Sequence, residues 1–309
     1  MQRSKTMMAF KTLRLVLAAL LCTVALQAQA AITCTLTPTS VNVNYVNGQT
    51  SNANTSGSIT INCTRLSTDA SSTSYFVSID YGSRTKNPRQ VFRTGGGTGA
   101  SDQLNISIYQ SGSTTIWANQ NNNMVSGTLN FFTSTSASVT LTYDFRVPSG
   151  LTGNTAGIYD EIFITSLQFT NNGPIQASAA FTTTVSITAM CFIGQVASGN
   201  TAPGAISPST MTLNYTSFAA VAQSTAMTYT VNCTNTTPYS MDLSPSSGVL
   251  LGLAYTVKFD NGLGTKTGLT GSGFAQPYTI TAAIAAGQAG ACSTATCGAT
   301  QATTITVTY

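Results

Sequence analysis

The chain has 309 residues, 42% apolar and only 6% charged, with a formal net charge of +4 and no histidine. Charged residues fall far below the roughly 25% of ordinary soluble domains, yet the apolar share is too high for a disordered chain. Histidine-dependent catalysis is excluded, and the length allows one large or two ordinary β domains, each with a core.

Residues 1–30 read as a secretory signal peptide. Arg3, Lys5, Lys11 and Arg14 make a basic start, 15–26 is an apolar run too short to span a bilayer, and Ala28-Gln29-Ala30 is a small-x-small cleavage site. Leu21 does not suit a lipoprotein cleavage site, so Cys22 is expected to leave with the leader. Four of the 12 basic residues and none of the 8 acidic ones lie there, so the rest of the chain is formally neutral. No electrostatic case for nucleic acid or anionic lipid survives. No other run suits a transmembrane helix.

From residue 31 onward short alternating segments follow one another, at 41–46, 57–63, 75–81, 104–109, 128–132, 139–147 and 157–165. No segment holds a helical period. The loops 94–101 and 119–127 are rich in Asn and Gly. Asn171-Asn172-Gly173-Pro174 is the clearest turn cluster and sets a domain boundary at residue 173. After it, 177–190 alternates: Phe181, Thr183, Val185, Ile187 and Ala189 point one way, and Thr182, Thr184, Ser186, Thr188 and Met190 the other. A second set follows at 211–215, 226–233, 239–243, 253–259, 278–284 and 303–309. An all-β chain of two sandwiches is expected, 31–173 and 191–309, with 174–190 as linker and shared strand.

Cys34, Cys63, Cys191, Cys233, Cys292 and Cys297 remain after the leader. An even number in an exported chain implies disulfides. Of the possible pairings the sequential one, 34 with 63, 191 with 233 and 292 with 297, is the simplest. Zinc is a poor alternative without histidine or a Cys-x-x-Cys pair. No metal or cofactor is implied.

The halves repeat an order of features. Ile59-Thr60-Ile61-Asn62-Cys63-Thr64 matches Tyr229-Thr230-Val231-Asn232-Cys233-Thr234, and a Tyr-led strand follows each, at Tyr75 and Tyr239. With Cys34, Gly82, Val147-Pro148, Gly157-Ile158-Tyr159-Asp160 and the closing Thr304-Ile305-Thr306-Val307-Thr308-Tyr309, the pattern resembles the spore coat protein U domain family, which includes subunits of archaic chaperone–usher pili. The second half departs from it, with no counterpart of Gly157-Ile158-Tyr159-Asp160 and an added Cys292/Cys297 pair.

That resemblance implies immunoglobulin-like, pilin-type sandwiches, the second lacking its final strand. A neighbour's extension would fill the gap by β-augmentation. The given sequence stops at Tyr309, and only Ala31-Ile32-Thr33 would precede Cys34 after cleavage. Phe181, Thr183, Val185, Ile187 and Ala189 would then be a donor strand completing the first domain within the chain. The expected protein is the tip adhesin of such a pilus, attaching cells to surfaces and promoting biofilm. Its partners would be a periplasmic chaperone, an outer-membrane usher, the next subunit and a surface or receptor. The rival is a secreted spore or cell surface coat protein.

No catalytic constellation is present. Asp160 and Glu161, the one adjacent acidic pair, would face opposite ways on a strand. Arg84, Lys86, Arg89 and Arg93 read as a solvated connection, with an anionic-surface patch as the alternative. The Gly-rich run 95–99 lacks a Walker ending and reads as a loop. Surface-binding candidates are Val46, Val91, Phe92, Val147, Pro148 and Leu151 on loops at one pole, and Trp117, a contact residue or a core plug.

Overall fold

The computed structural model describes residues 32–83, 88–119, 123–194 and 210–309. The leader, Cys22, Arg84 and Lys86 lie outside them. The first domain comprises β1 (Thr33–Pro38), β2 (Val41–Tyr45), β3 (Ala53–Thr64), β4 (Ser72–Ile79), β5 (Arg89–Arg93), β6 (Gln103–Gln110), β7 (Val125–Asn130), β8 (Ser136–Val147), β9 (Gly157–Gln168) and β10 (Ile175–Ile187). A 3-10 turn, Ala100–Asp102, lies between β5 and β6. β1-β3-β8-β6 form one layer. β7-β4-β9-β10-β2 form the other, and β5 joins the two by pairing with both β6 and β9. Period-two burial explains the closure: Ile59, Ile61 and Cys63 of β3, Tyr143, Phe145 and Val147 of β8, and Tyr159, Phe163 and Leu167 of β9 meet in one core.

The second domain comprises β11 (Cys191–Gly194), β12 (Gln223–Cys233), β13 (Pro238–Ser244), β14 (Ser247–Leu250), β15 (Leu253–Phe259), β16 (Thr265–Thr270), β17 (Ala275–Ile284) and β18 (Thr304–Thr308). Its layers are β11-β12-β17-β15-β14 and β16-β13-β18. A separate core of Tyr229, Val231, Tyr239, Met241, Val257, Phe259 and Ile280 lies between them.

The bonded cysteine pairs are Cys34 with Cys63, Cys191 with Cys233, and Cys292 with Cys297. The first two join residues directly opposite each other, across β1–β3 and β11–β12. Each therefore fixes the register of its domain's opening strand.

Tyrosines pack over facing glycines at three sites. Gly57 pairs with Tyr143, Gly127 with Tyr75 and Gly248 with Tyr255. A Cβ at Gly57 would lie 2.3 Å from the Tyr143 ring. That ring is fully buried, and its hydroxyl donates to the Thr39 carbonyl at 2.6 Å. Gly57→Val is therefore expected to lower stability by about 2–3 kcal/mol, as overpacking does, read as a lower urea midpoint for the first domain.

Burial also raises the Tyr143 and Tyr159 phenols to about 12. A raised folded pKa means stability that is full below the unfolded value near 10 and is lost as pH climbs towards 12. With no histidine, the unfolding free energy is expected to stay nearly flat from pH 6 to 9. It should then fall by up to about 2 kcal/mol per tyrosine between pH 10 and 12, as urea titrations at stepped pH would show.

Only residues 188–190 separate β10 from β11. The Thr234 N–H donates to the Met190 carbonyl at 2.9 Å, and the Met190 N–H to the Thr234 hydroxyl at 3.1 Å. Asn235 Nδ2 donates to the Gly153 carbonyl at 3.0 Å and the Thr155 hydroxyl at 3.4 Å. The first domain therefore meets the second with its 148–156 loop. Its opposite, distal pole carries the loops 65–71 and 131–135.

Candidate functional site

Two features set the ends of this molecule apart: how each domain fills the place between its last paired strand and its 41–45 or 211–215 segment, and what the distal pole exposes.

In the first domain β10 fills that place. It runs antiparallel to β9, with Phe181 opposite Phe163 and Val185 opposite Tyr159, and parallel to β2, with Thr183 opposite Val41 and Ile187 opposite Tyr45. Phe181, Thr183, Val185 and Ile187 are buried. Ala189 lies beyond the strand and is half-buried. The Phe181 ring packs against Tyr143 and Phe163 at 5.4 and 5.9 Å.

Among the described residues, the second domain has the same flanks without the middle. Met211-Thr212-Leu213-Asn214-Tyr215 repeats the pattern of Val41-Asn42-Val43-Asn44-Tyr45, ending in Asn-Tyr. The expected strand at 211–215 does not form. The physical reason is visible in β2, whose ladder is made with β10. Residues 211–215 have no such neighbour among the described strands and form no ladder with them. On the facing side, β18 pairs with β13 and with no other described strand. Its inward residues Ile305 and Val307 remain half-exposed, as do Met211 and Leu213, all four packed against the edge of the second core, whereas Tyr159, Phe163 and Leu167 of β9 are sealed. An apolar slot with an unpaired strand edge is a ready template for another strand.

The distal pole is a second candidate. Phe132 is 79% exposed and Leu66 57% exposed, on two loops that Arg65 ties together. Phe132 also holds a left-handed backbone at φ 50°, unusual for a bulky residue. Arg65 fixes the pair. Its guanidinium donates to the carbonyls of Phe132 at 3.1 Å, Ser134 at 3.1 Å and Asp69 at 2.7 Å, and lies 5.4 Å from the centre of the Phe131 ring. Asp69 Oδ2 accepts from the Leu66 N–H at 2.7 Å. The two loops thus form one braced platform with Leu66 and Phe132 on its surface.

The sequence-based surface candidates fall elsewhere. Val91, Trp117 and Val147 are fully buried, so they belong to the core and cannot be contact residues. Trp117 donates its indole N–H to the Val77 carbonyl at 2.8 Å, which satisfies its one polar group. Val46, Phe92, Pro148 and Leu151 are half-buried at or near the pole that faces the second domain, with Leu151 against the core. Alternation identified a shared pole for these loops but could not say which pole is free.

Nor is Arg89 a solvated charge. It is 2% exposed, donates to the carbonyls of Ile79, Asp80 and Trp117, and its pKa falls to about 10, chiefly through desolvation. Arg93 pairs with Asp102 at 2.6 Å. Asp160 accepts from Thr94, while Glu161 accepts from Ser83, so these carboxylates serve different loops.

Sequence reasoning missed Leu66 and Phe132. A usable signal was Arg65 directly after Cys63-Thr64, with bulky apolar residues placed in two polar loops.

A match to the Spore Coat Protein U domain covers residues 20–165. No curated protein matches the chain. Among solved structures, the chain is similar to the CsuC–CsuE chaperone-tip adhesion subunit pre-assembly complex of Acinetobacter baumannii archaic chaperone-usher Csu pili, at 12% identity over 90% of this chain and 100% of that one, with a TM-score of 0.48. It is also similar to the CupB6 tip adhesin of Pseudomonas aeruginosa, at 15% identity over 51% of this chain and 43% of that one, with a TM-score of 0.30. A third is self-complemented MyfA, the major subunit of Yersinia enterocolitica Myf fimbriae, at 12% identity over 50% and 98%, with a TM-score of 0.26.

Proposed function

We propose that this chain, whose residues 20–165 carry a Spore Coat Protein U domain, is a non-enzymatic adhesive subunit at the tip of a chaperone–usher pilus. One observation carries the reading. Among the described residues, no strand in the second domain takes the place that β10 fills between β9 and β2 in the first, whose counterparts are β18 and residues 211–215. A molecule with one self-completed domain and one open domain accepts a strand at one end and presents a finished surface at the other. That fits the end of a fibre.

In this reading the second domain receives the donor strand of the next subunit, and a periplasmic chaperone covers the slot until an usher delivers that strand. The apolar slot needs such cover, because exposed apolar surface beside unpaired backbone invites aggregation. The first domain binds a surface or receptor through Leu66 and Phe132 and supports attachment and biofilm. The protein travels through the periplasm to the cell exterior.

Hydrogen exchange tests the central step. In the isolated chain, peptides spanning 303–309 and 210–216 should exchange fast, while β10 is protected. In assembled fibres the same peptides should gain about a hundredfold protection or more as new ladders form. Protection already complete in the isolated chain would refute an open slot.

A further inference from the structure

The far pole of the second domain repeats the pole by which the first domain meets the second. In the first domain the Tyr45 hydroxyl accepts from the Leu151 N–H at 2.9 Å, the Gly48 N–H donates to the Leu151 carbonyl at 2.7 Å, and Asn47 donates to the Thr152 carbonyl at 3.2 Å. In the second, the Tyr215 hydroxyl accepts from the Gln288 N–H at 2.8 Å and the Phe218 N–H donates to the Gln288 carbonyl at 2.7 Å. Ser217 donates to the Ala289 carbonyl. Tyr45 and Tyr215, Gly48 and Phe218, and Leu151 and Gln288 therefore hold the same places. By the same count Gly153 and Thr155, which receive Asn235, correspond to Gly290 and Cys292. The loop closed by Cys292 and Cys297 thus starts where the partner contact is made in the first domain.

The telling difference is at Phe218. Gly48 and Phe218 both adopt left-handed backbone, at φ 79° and 61°. Glycine is at ease there; phenylalanine is not. The Phe218 ring is 71% exposed, and Val221 and Val249 are exposed at the same pole. Neither backbone ease nor core packing in the free chain explains this residue. A bulky apolar group held in a disfavoured conformation on the surface points to a function outside the isolated molecule.

The direction of the missing strand says what would reach it. β10 runs parallel to β2 and ends with Ile187 beside Tyr45, with three residues between it and β11. A strand entering the second slot in the same sense ends beside Tyr215, so its parent domain arrives at the Phe218 pole. Resting on the donor-strand reading, we propose that Phe218, with Val221 and the Cys292–Cys297 loop, is the docking surface for the body of that incoming pilin-type domain. The partner would present the end that carries its own opening disulfide, the end at which Thr234 and Asn235 of this chain meet the first domain.

The test places the photocrosslinker p-benzoylphenylalanine at Phe218, and separately at Leu213 inside the slot, in the full chain expressed in piliated source cells. Adducts are mapped by mass spectrometry. Expected is one polypeptide captured from both positions, through its N-terminal extension at 213 and its disulfide-bearing end at 218. Capture at 213 with no adduct, or a different polypeptide, at 218 overturns the docking surface and leaves the donor reading standing. No adduct at 213 removes the donor reading and this proposal with it. Phe218→Gly adds a second readout. The free chain should melt no lower, since glycine suits the backbone, while the isolated complex should dissociate at least about tenfold faster. An unchanged dissociation rate overturns the proposal.

Discussion

Residues 176–188, fused to Tyr309 through a flexible linker in the intact chain, are expected to raise the melting temperature of the second domain by about 15 °C or more. The slot explains the size. Ile305, Val307, Met211 and Leu213 are only half covered. The added strand brings an apolar row equivalent to Phe181, Val185 and Ile187, each contributing about 1.5–3 kcal/mol when buried. New ladder bonds on both flanks offset much of the cost of ordering the strand's backbone. A net gain of a few kcal/mol corresponds to roughly 4–8 °C for each kcal/mol in a domain of this size. Calorimetry would resolve it, with the first domain as the unchanged internal reference. A donor carrying Val185→Asp and Ile187→Asp should give little gain. Equal melting of the fused and unfused chains would mean the second domain closes without a donor. The surface-coat reading would then replace the pilus.

The second large effect is expected at the other end. Leu66→Asp combined with Phe132→Asp should reduce attachment of piliated cells to an apolar plastic surface by more than about tenfold, as removal of central apolar anchors does at interfaces. Pilus number and the melting temperature should hold, because both side chains already face solvent and the Arg65 bonds run to backbone carbonyls rather than to these side chains. Retained attachment would remove this pole as the adhesive surface. Loss of pilus number instead would place Leu66 and Phe132 in assembly.

Much of the architecture could be read from alternation. The 177–190 stretch, with Phe181, Val185 and Ile187 on one side, overlaps β10, which starts two residues earlier and stops at Ile187, short of Ala189, because burial on one face requires period two. β1 was not anticipated, and β5, β11, β14 and β16 left no such trace. They are short, and segments such as Arg89-Gln90-Val91-Phe92-Arg93 hide a buried arginine behind a charged composition. The 211–215 segment shows the opposite failure. It has a strand's pattern, yet a strand needs a neighbour that its own sequence cannot supply. The adhesive candidates failed for a third reason. Which loop pole is free depends on where the second domain sits, and that follows from the residues 188–190 and the bonds of Thr234 and Asn235, contacts no local pattern announces.

The parallel pairing of β2 with β10 also sets an order in time. The Thr182 N–H bonds to the Ser40 hydroxyl across 142 positions of sequence. Loop closure over such a span is slow relative to local hairpins. If the chain is exported from its N-terminus, as proposed, β2 emerges long before the strand that will flank it. The first domain would then wait, with its own seam unzipped, until residue 187 has crossed. In the donor-strand reading the second domain waits in the same way, for a strand from outside.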